Sequence, residues 1–204
     1  ATLAASDAVR AWRDIRDRYR RSILGPFWLT LSQAITILSM ALVFSHIFRI
    51  DLDSYLPYLT LGMLLWGLLS SFVSEGCHVF VAAAGYLRNV RIPYTVFVMQ
   101  LVVRNLWVFL HQIVIFVPMV FLFHVPVSWC ALLALPGLLL CALTGFWLAL
   151  LLGITAARFR DVPPIAASIL GVAVYLTPVL WRPEMLGDHA RYLICNPFAH
   201  FLEI

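Results

Sequence analysis

Long apolar runs separated by short, arginine-bearing breaks make up most of the chain. The first run extends from Phe27 to Phe48. The second extends from about Leu56 to Ala84 and is interrupted by Glu75 and His78. The third, Tyr94 to Phe123, contains Arg104 and Asn105. The fourth covers Trp129 to Ala157, and the fifth Pro164 to Trp181. A membrane-spanning helix needs about 20 mainly apolar residues, so each run predicts a span. The fifth is short and the second and third are long, which predicts tilts or breaks. A membrane β-barrel would show alternating segments of about ten residues, and these runs do not alternate. Arg182 to Ile204 is mixed and reads as a polar turn followed by an amphipathic segment near Asn196 and Pro197. The pattern therefore predicts an all-α, polytopic membrane helical bundle. No internal repeat or low-complexity linker divides it, so residues 1–204 read as a single domain.

The N-terminal segment has a different period. Between Ser6 and Tyr19, Val9, Trp12, Ile15 and Tyr19 recur at helical spacing, and Arg10, Arg13, Asp14, Asp17 and Arg18 fill much of the remaining surface. This predicts an amphipathic helix over about 4–20, lying in the membrane interface with its aromatics at headgroup depth. The alternative is a solubilising stub with topogenic arginines. A charged rather than apolar N-terminus shows no cleavable signal peptide.

Charge then orients the spans. Cytoplasmic loops carry an excess of Arg and Lys. Six arginines precede the first run, Arg88 and Arg91 separate the second from the third, and Arg158 and Arg160 separate the fourth from the fifth. These ten fall on one side; Arg49, Arg182 and Arg191 fall on the other, and Arg104 is left within a span. The bias predicts a cytoplasmic N-terminus.

Composition removes several function classes. Hydrophobic residues make up 63% of the chain and charged residues 12%, against about 25% charged in a soluble domain. All 14 basic residues are Arg. A P-loop needs a Lys to reach the phosphates, so ATP-driven work would have to use another chain. Cys77, Cys130, Cys141 and Cys195 form no CxxC pair and read as buried free thiols rather than a metal site. Glu75 and His78 form one ExxH pair, half of a di-metal pattern, but no second pair exists. No metal site is expected.

Four places could carry chemistry. Arg18, Arg20 and Arg21 crowd the point where the interfacial helix turns into the bilayer at Gly25 and Pro26. Guanidinium groups bind phosphate oxygens bidentately, so these arginines either anchor to lipid phosphates or capture a phosphate-bearing lipid substrate. The segment Gly85-Tyr86-Leu87-Arg88, ending at Pro93, and the segment Arg158-Phe159-Arg160-Asp161 mix aromatics with arginines. Each could form a small helix that docks a soluble partner, or be an ordinary positive-inside turn. Arg104 lies ten residues into the third run, about 15 Å deep by helical rise. A charge at that depth faces a cavity or a partner, and Glu75 on the second run is a candidate partner; Arg104 makes a structural bond to an acid or a carbonyl, lines a pore, or lies outside a span whose limits differ from these.

The same residues resemble the permease subunits of type-2 ABC exporters, in the branch that exports O-antigen, capsule and teichoic-acid polymers. Arg18-Tyr19-Arg20-Arg21-Ser22, with Leu24, Gly25 and Trp28, resembles the family's signature before its first span. Tyr58, Gly62, Trp66, Ser70, Ser71, Glu75 and Gly76 resemble its second-span pattern. Gly85-Tyr86-Leu87-Arg88 and Ala157-Arg158-Phe159-Arg160-Asp161-Val162 resemble its two coupling segments. Leu176-Thr177-Pro178-Val179 and Asn196-Pro197-Phe198 resemble the end of the fifth span and the start of external re-entrant helices. These motifs cover nearly the whole chain in family order.

The resemblance implies a homodimer of permeases docked to two ATP-binding-cassette ATPase subunits, in the bacterial inner membrane. ATP and Mg would sit on the ATPases; this chain would bind no cofactor and would not itself be an enzyme. The cargo implied is a polysaccharide linked by diphosphate to a polyprenyl lipid, with its head group near Arg18, Arg20 and Arg21. No nucleic-acid partner is implied. Two departures stand out: Ser32 and Gln33 occupy the region where the family has Pro after Trp28, and the family's sixth span would follow Ile204, which points to a truncated chain. Two other readings remain: a permease of the same family for drugs or small lipids, and an intramembrane enzyme acting on polyprenyl lipids from Glu75, His78 and Arg104.

Overall fold

The computed structural model describes residues 27–89, 92–125, 129–185, 193 and 196–202. The N-terminal interfacial helix expected over 4–20 lies outside these residues. Helix α1 is Phe27–Phe48, matching the first apolar run to the residue. It contains neither Gly nor Pro, and its buried positions Thr30, Ile37, Ala41 and Ser45 form a single stripe. Most of its exposed positions are large and apolar, among them Leu31, Ile35, Leu38, Leu42, Val43 and Ile47, as suits a helix in lipid, and the hydroxyls of Ser32 and Thr36 bond back to the helix's own carbonyls. It stops where Arg49 takes a left-handed φ of 55°, and the Ile50 N–H returns to Ser45 O at 3.1 Å. That bond closes the helix end in the Schellman pattern.

Helix α2 is Leu52–Gly76. The expected second span, which ran on to Ala84, is corrected here. Past Gly76 the His78 N–H turns back to Glu75 O at 3.0 Å, and two short helices follow, α3 (Val79–Ala82) and α4 (Ala84–Asn89). Helix α5 (Tyr94–Gln112), a 3₁₀ turn (Ile113–Ile115) and α6 (Phe116–Leu122) make the third span. Pro118 accounts for the tightened turn: it has no N–H to donate and its ring crowds the carbonyl of Val114. Helix α7 is Ala134–Arg158, α8 is Val162–Leu176, and α9 is Pro197–Leu202.

Among the described residues, four helical stretches are long and apolar enough to cross a membrane: Phe27–Phe48, Leu52–Gly76, Tyr94–Leu122 and Ala131–Arg158. The expected fifth span is the shorter apolar helix α8, of 15 residues. Its helical pattern ends before Pro178, whose ring disfavours helical backbone at Thr177. The protein is thus an all-α, multi-pass membrane bundle.

Two compact units form within the chain, and α2, α5, α7 and α8 each contribute residues to both. One unit gathers residues 68–108 and 138–170. Its core is Val73, Cys77, Ala156 and Ala166, flanked by Leu148, Leu152, Val162 and Leu170. Small residues let the backbones meet, as in other membrane bundles. A Cβ on Gly76 would lie 2.8 Å from Ala149 Cα, and one on Gly145 would strike the Phe72 ring at 2.4 Å. The other unit gathers residues 27–67, 109–137 and 171–204. There Thr30 Oγ1 and His111 Nδ1 are 2.6 Å apart, and the Phe27 ring meets His111 edge-on at 5.9 Å.

Candidate functional site

The two candidate coupling segments fall in the same unit. Gly85, Tyr86, Leu87 and Arg88 lie on α4, with the Leu87 N–H bonded to Ala83 O at 3.0 Å. The first segment is therefore a short helix, as one of its two readings requires. Its root is fixed: Phe80 on α3 is buried, packs where a Gly153 Cβ would be, and meets the Tyr94 ring edge-on at 5.5 Å. The second segment takes the other of its two readings, a turn. Arg158 ends α7, and Phe159, Arg160 and Asp161 form a three-residue turn into α8. The Phe159 N–H reaches Thr155 O at 2.8 Å, and Asp161 O receives the Ile165 N–H at 3.1 Å. With those backbone bonds made there is no room for an extra helix. All four side chains are exposed, Phe159 at 60%. The turn thus sets one exposed aromatic ring among two arginines and an aspartate. Of the residues that bracket the turn, Ala156 belongs to the core of the unit and Val162 packs against it.

Glu75 and Arg104 also meet in this unit. An Arg104 Nη2 donates to Glu75 Oε2, and Asn105 Nδ2 donates to the same oxygen at 2.8 Å. The side chains of Arg104 and Glu75 remain 28% and 35% exposed, whereas Asn105 is buried. The expected pairing of Arg104 with Glu75 is therefore present. Asn105 was visible as a polar residue in an apolar run, but its part in holding the carboxylate was not. His78, the other half of the ExxH pair, is exposed beyond the end of α2. Among the described residues no group of three His, Cys, Asp or Glu side chains gathers to hold a metal. Cys77 and Cys141 are buried free thiols, and burial pushes the Cys77 thiol pKa up.

In the other unit, the motif residues of α2 converge on the chain that follows α8. Residues 177–180 are buried but not helical. At membrane depth such backbone survives only where protein groups satisfy it. The Tyr58 hydroxyl reaches Pro178 O at 2.5 Å and Trp181 O at 2.9 Å. The fully buried Tyr55 donates its hydroxyl to Leu180 O. Asn196 Nδ2 reaches both Leu176 O and Thr177 Oγ1 at 3.1 Å, and its Oδ1 accepts the Phe198 N–H at 3.0 Å. Gly62 lets Val179 approach, since a Cβ there would lie 3.2 Å from Val179 O. Trp66 meets the Phe198 ring at 5.6 Å, and Arg182 stands over the Tyr58 ring at 5.5 Å. Sequence reasoning missed Tyr55; its spacing three residues before Tyr58, on the same helical face, was the available signal.

Arg18, Arg20 and Arg21, the candidate head-group entrance, lie outside the described residues. So do Arg91, Arg191 and Cys195.

Residues 9–204 match the family described as ABC-2 type transporter. The O-antigen export system permease protein RfbA of Myxococcus xanthus is 28% identical over 195 residues, covering 93% of this chain and 74% of that protein. The protein of the same name from Klebsiella pneumoniae is 21% identical over 192 residues, with the same coverage of both chains.

Proposed function

Since the chain belongs to the ABC-2 type transporter family and is a transporter permease subunit, we propose that it exports a polyprenyl-diphosphate-linked polysaccharide, an O-antigen or similar polymer, across the bacterial inner membrane. Two copies form the pore, with the N-terminus cytoplasmic, and ATP is hydrolysed on two separate ATPase subunits. The cargo class is supported by relatives named for O-antigen export that align over 93% of the chain.

The observation that carries the coupling part of this reading is the exposed Arg158-Phe159-Arg160-Asp161 turn, closed by backbone bonds and bracketed by the core residue Ala156 and by Val162, which packs against that core. A surface fixed in this way passes a push from a docked subunit into α7 and α8 rather than yielding locally. The α4 segment follows directly on α3, whose Phe80 packs against Gly153 of α7. ATPase closure beneath both segments would then move the parts of α2, α7 and α8 that pack together in this unit, which is how packed helices switch between discrete arrangements. The lipid diphosphate meets Arg18, Arg20 and Arg21 at the entrance, where bidentate guanidinium bonds suit phosphate oxygens.

Affinity purification of the tagged protein from native membranes, with mass spectrometry of co-purifying proteins and lipids, tests the reading. The expected result is an ATP-binding subunit in equal amount and a polyprenyl-diphosphate glycan in the lipid extract. A permease that comes down alone overturns it. Arg88→Glu and Arg160→Glu are each expected to lower ATPase recovery and transport; normal co-purification and ATPase stimulation in both would remove the docking assignment.

A further inference from the structure

We propose that Glu75, Arg104 and Asn105, with Trp107 beside them, form a contact site for a neutral sugar residue of the exported glycan, an assignment that rests on the cargo reading above.

The first argument is exposure. Arg104 and Glu75 are roughly a third open on helices of membrane-crossing length. Lipid tails cannot solvate a guanidinium or a carboxylate, so this face is turned to a polar space or a polar ligand. The neighbouring turn of α2 agrees: Ser74 is exposed, and its hydroxyl proton is committed to Ser70 O at 2.8 Å. The oxygen lone pairs of Ser74 remain as acceptors.

The second argument is charge. Glu75 compensates Arg104, and Asn105 fixes the carboxylate oxygen that both share. A site built to hold a diphosphate would present uncompensated positive charge. A charge-balanced set of planar donors and acceptors instead suits vicinal hydroxyls, which each give and take a hydrogen bond.

The third argument is the aromatic. Trp107 is 45% exposed and follows Arg104 by three positions on α5, so it stands about 60° around the helix on the same side. A sugar ring carries hydroxyls on its rim and C–H groups on its face. A planar polar set with an indole alongside matches both, the indole covering the C–H face. Glu75, Arg104 and Trp107 are partly exposed, with Asn105 buried behind them to hold the carboxylate, which fits a chain in transit better than a pocket that encloses its ligand.

The test uses the complex with its ATPase subunits, reconstituted in lipid nanodiscs. Two probes are compared: a labelled oligosaccharide released by mild acid from the source's own surface polysaccharide, free of lipid and phosphate, and polyprenyl diphosphate without glycan. Trp107→Leu and Glu75→Gln are each expected to weaken oligosaccharide binding about tenfold. Both should leave polyprenyl diphosphate binding at the parent level, and Trp107→Tyr should retain oligosaccharide binding. Because Trp107 is exposed, its variants test the site even if Glu75→Gln impairs folding. Unchanged oligosaccharide binding in Trp107→Leu overturns the inference, and so does a loss confined to polyprenyl diphosphate. If the parent complex binds neither probe, the cargo reading itself fails.

Discussion

Replacing Tyr58 by Phe removes one hydroxyl and leaves the ring in place. That hydroxyl lies 2.5 Å from Pro178 O and 2.9 Å from Trp181 O. It has one proton to share between them, so the change leaves two carbonyls of a non-helical turn short of a donor. Hydrogen bonds between membrane helices average about 0.6 kcal/mol, because the alternative states also find partners. A buried carbonyl stranded without its donor costs more, about 1–3 kcal/mol. Tyr58 is only half-buried, so water can replace part of the lost bond, and the expected loss is about 1–2 kcal/mol. Tyr55 provides the internal comparison. It is fully buried and serves Leu180 O alone, so Tyr55→Phe admits no water and should cost about 2–3 kcal/mol. The assay is equilibrium unfolding of the purified protein in mixed micelles of rising dodecyl sulfate fraction, followed by far-ultraviolet circular dichroism. Both variants within about 0.5 kcal/mol of the parent, the range of an inconsequential surface change, would refute the idea that these tyrosines hold the turn.

Two further outcomes follow from the other unit. Gly76→Ala places a Cβ 2.8 Å from Ala149 Cα and 2.9 Å from its Cβ, well inside ordinary carbon contact of about 3.5–4.0 Å. It should destabilise by about 1–3 kcal/mol in the same unfolding assay, and Ala149→Gly should rescue it only in part because the nearer atom is backbone; full rescue or no initial loss would count against the close approach. The Cys77 thiol is buried and its pKa is raised by that burial, so at pH 8 it holds less thiolate than an ordinary cysteine. Maleimide labelling at Cys77 should lag an exposed control cysteine until the protein is unfolded, and equal rates in the folded protein would contradict its placement.

Legibility in the sequence tracked what each feature leaves in the residues themselves. Span α1 was readable to its ends because the run carries no Asp, Glu, Lys or Arg between Phe27 and Phe48 and Arg49 ends it. The end of α2 was not, because Gly76, Cys77 and the apolar residues after His78 look the same whether the helix continues or turns. Past the turn Phe80 packs into the space left by Gly153, a contact between residues more than 70 positions apart that the local sequence does not announce. The pairing of Glu75 with Arg104 could be anticipated since each is an isolated charge in an apolar run and neutralisation leaves few choices. Asn105 is polar enough to notice, yet its partner depends on the rotation of α5 relative to α2, which composition does not encode.

The turn after α8 shows where sequence reading meets its physical limit. Its difficulty lies in the carbonyls of Leu176, Pro178, Leu180 and Trp181, and every residue carries a carbonyl, so no side chain marks them as needing donors. The donors come from Tyr55 and Tyr58, more than a hundred positions earlier, and from Asn196. On a hydropathy pattern the tyrosines count as apolar filling of a span, and that is half of their role: their rings pack while their hydroxyls replace the missing helical bonds. Pro178 makes the arrangement necessary, since it disfavours helix at Thr177 and offers no N–H of its own. A break in a membrane helix thus has to be matched by polar tips on a neighbouring helix. In this chain the match is the set Tyr58, Gly62, Trp66 against Thr177-Pro178-Val179 and Asn196-Pro197-Phe198. Motifs that stand far apart in the sequence are explained together by one requirement, the satisfaction of a non-helical backbone away from water.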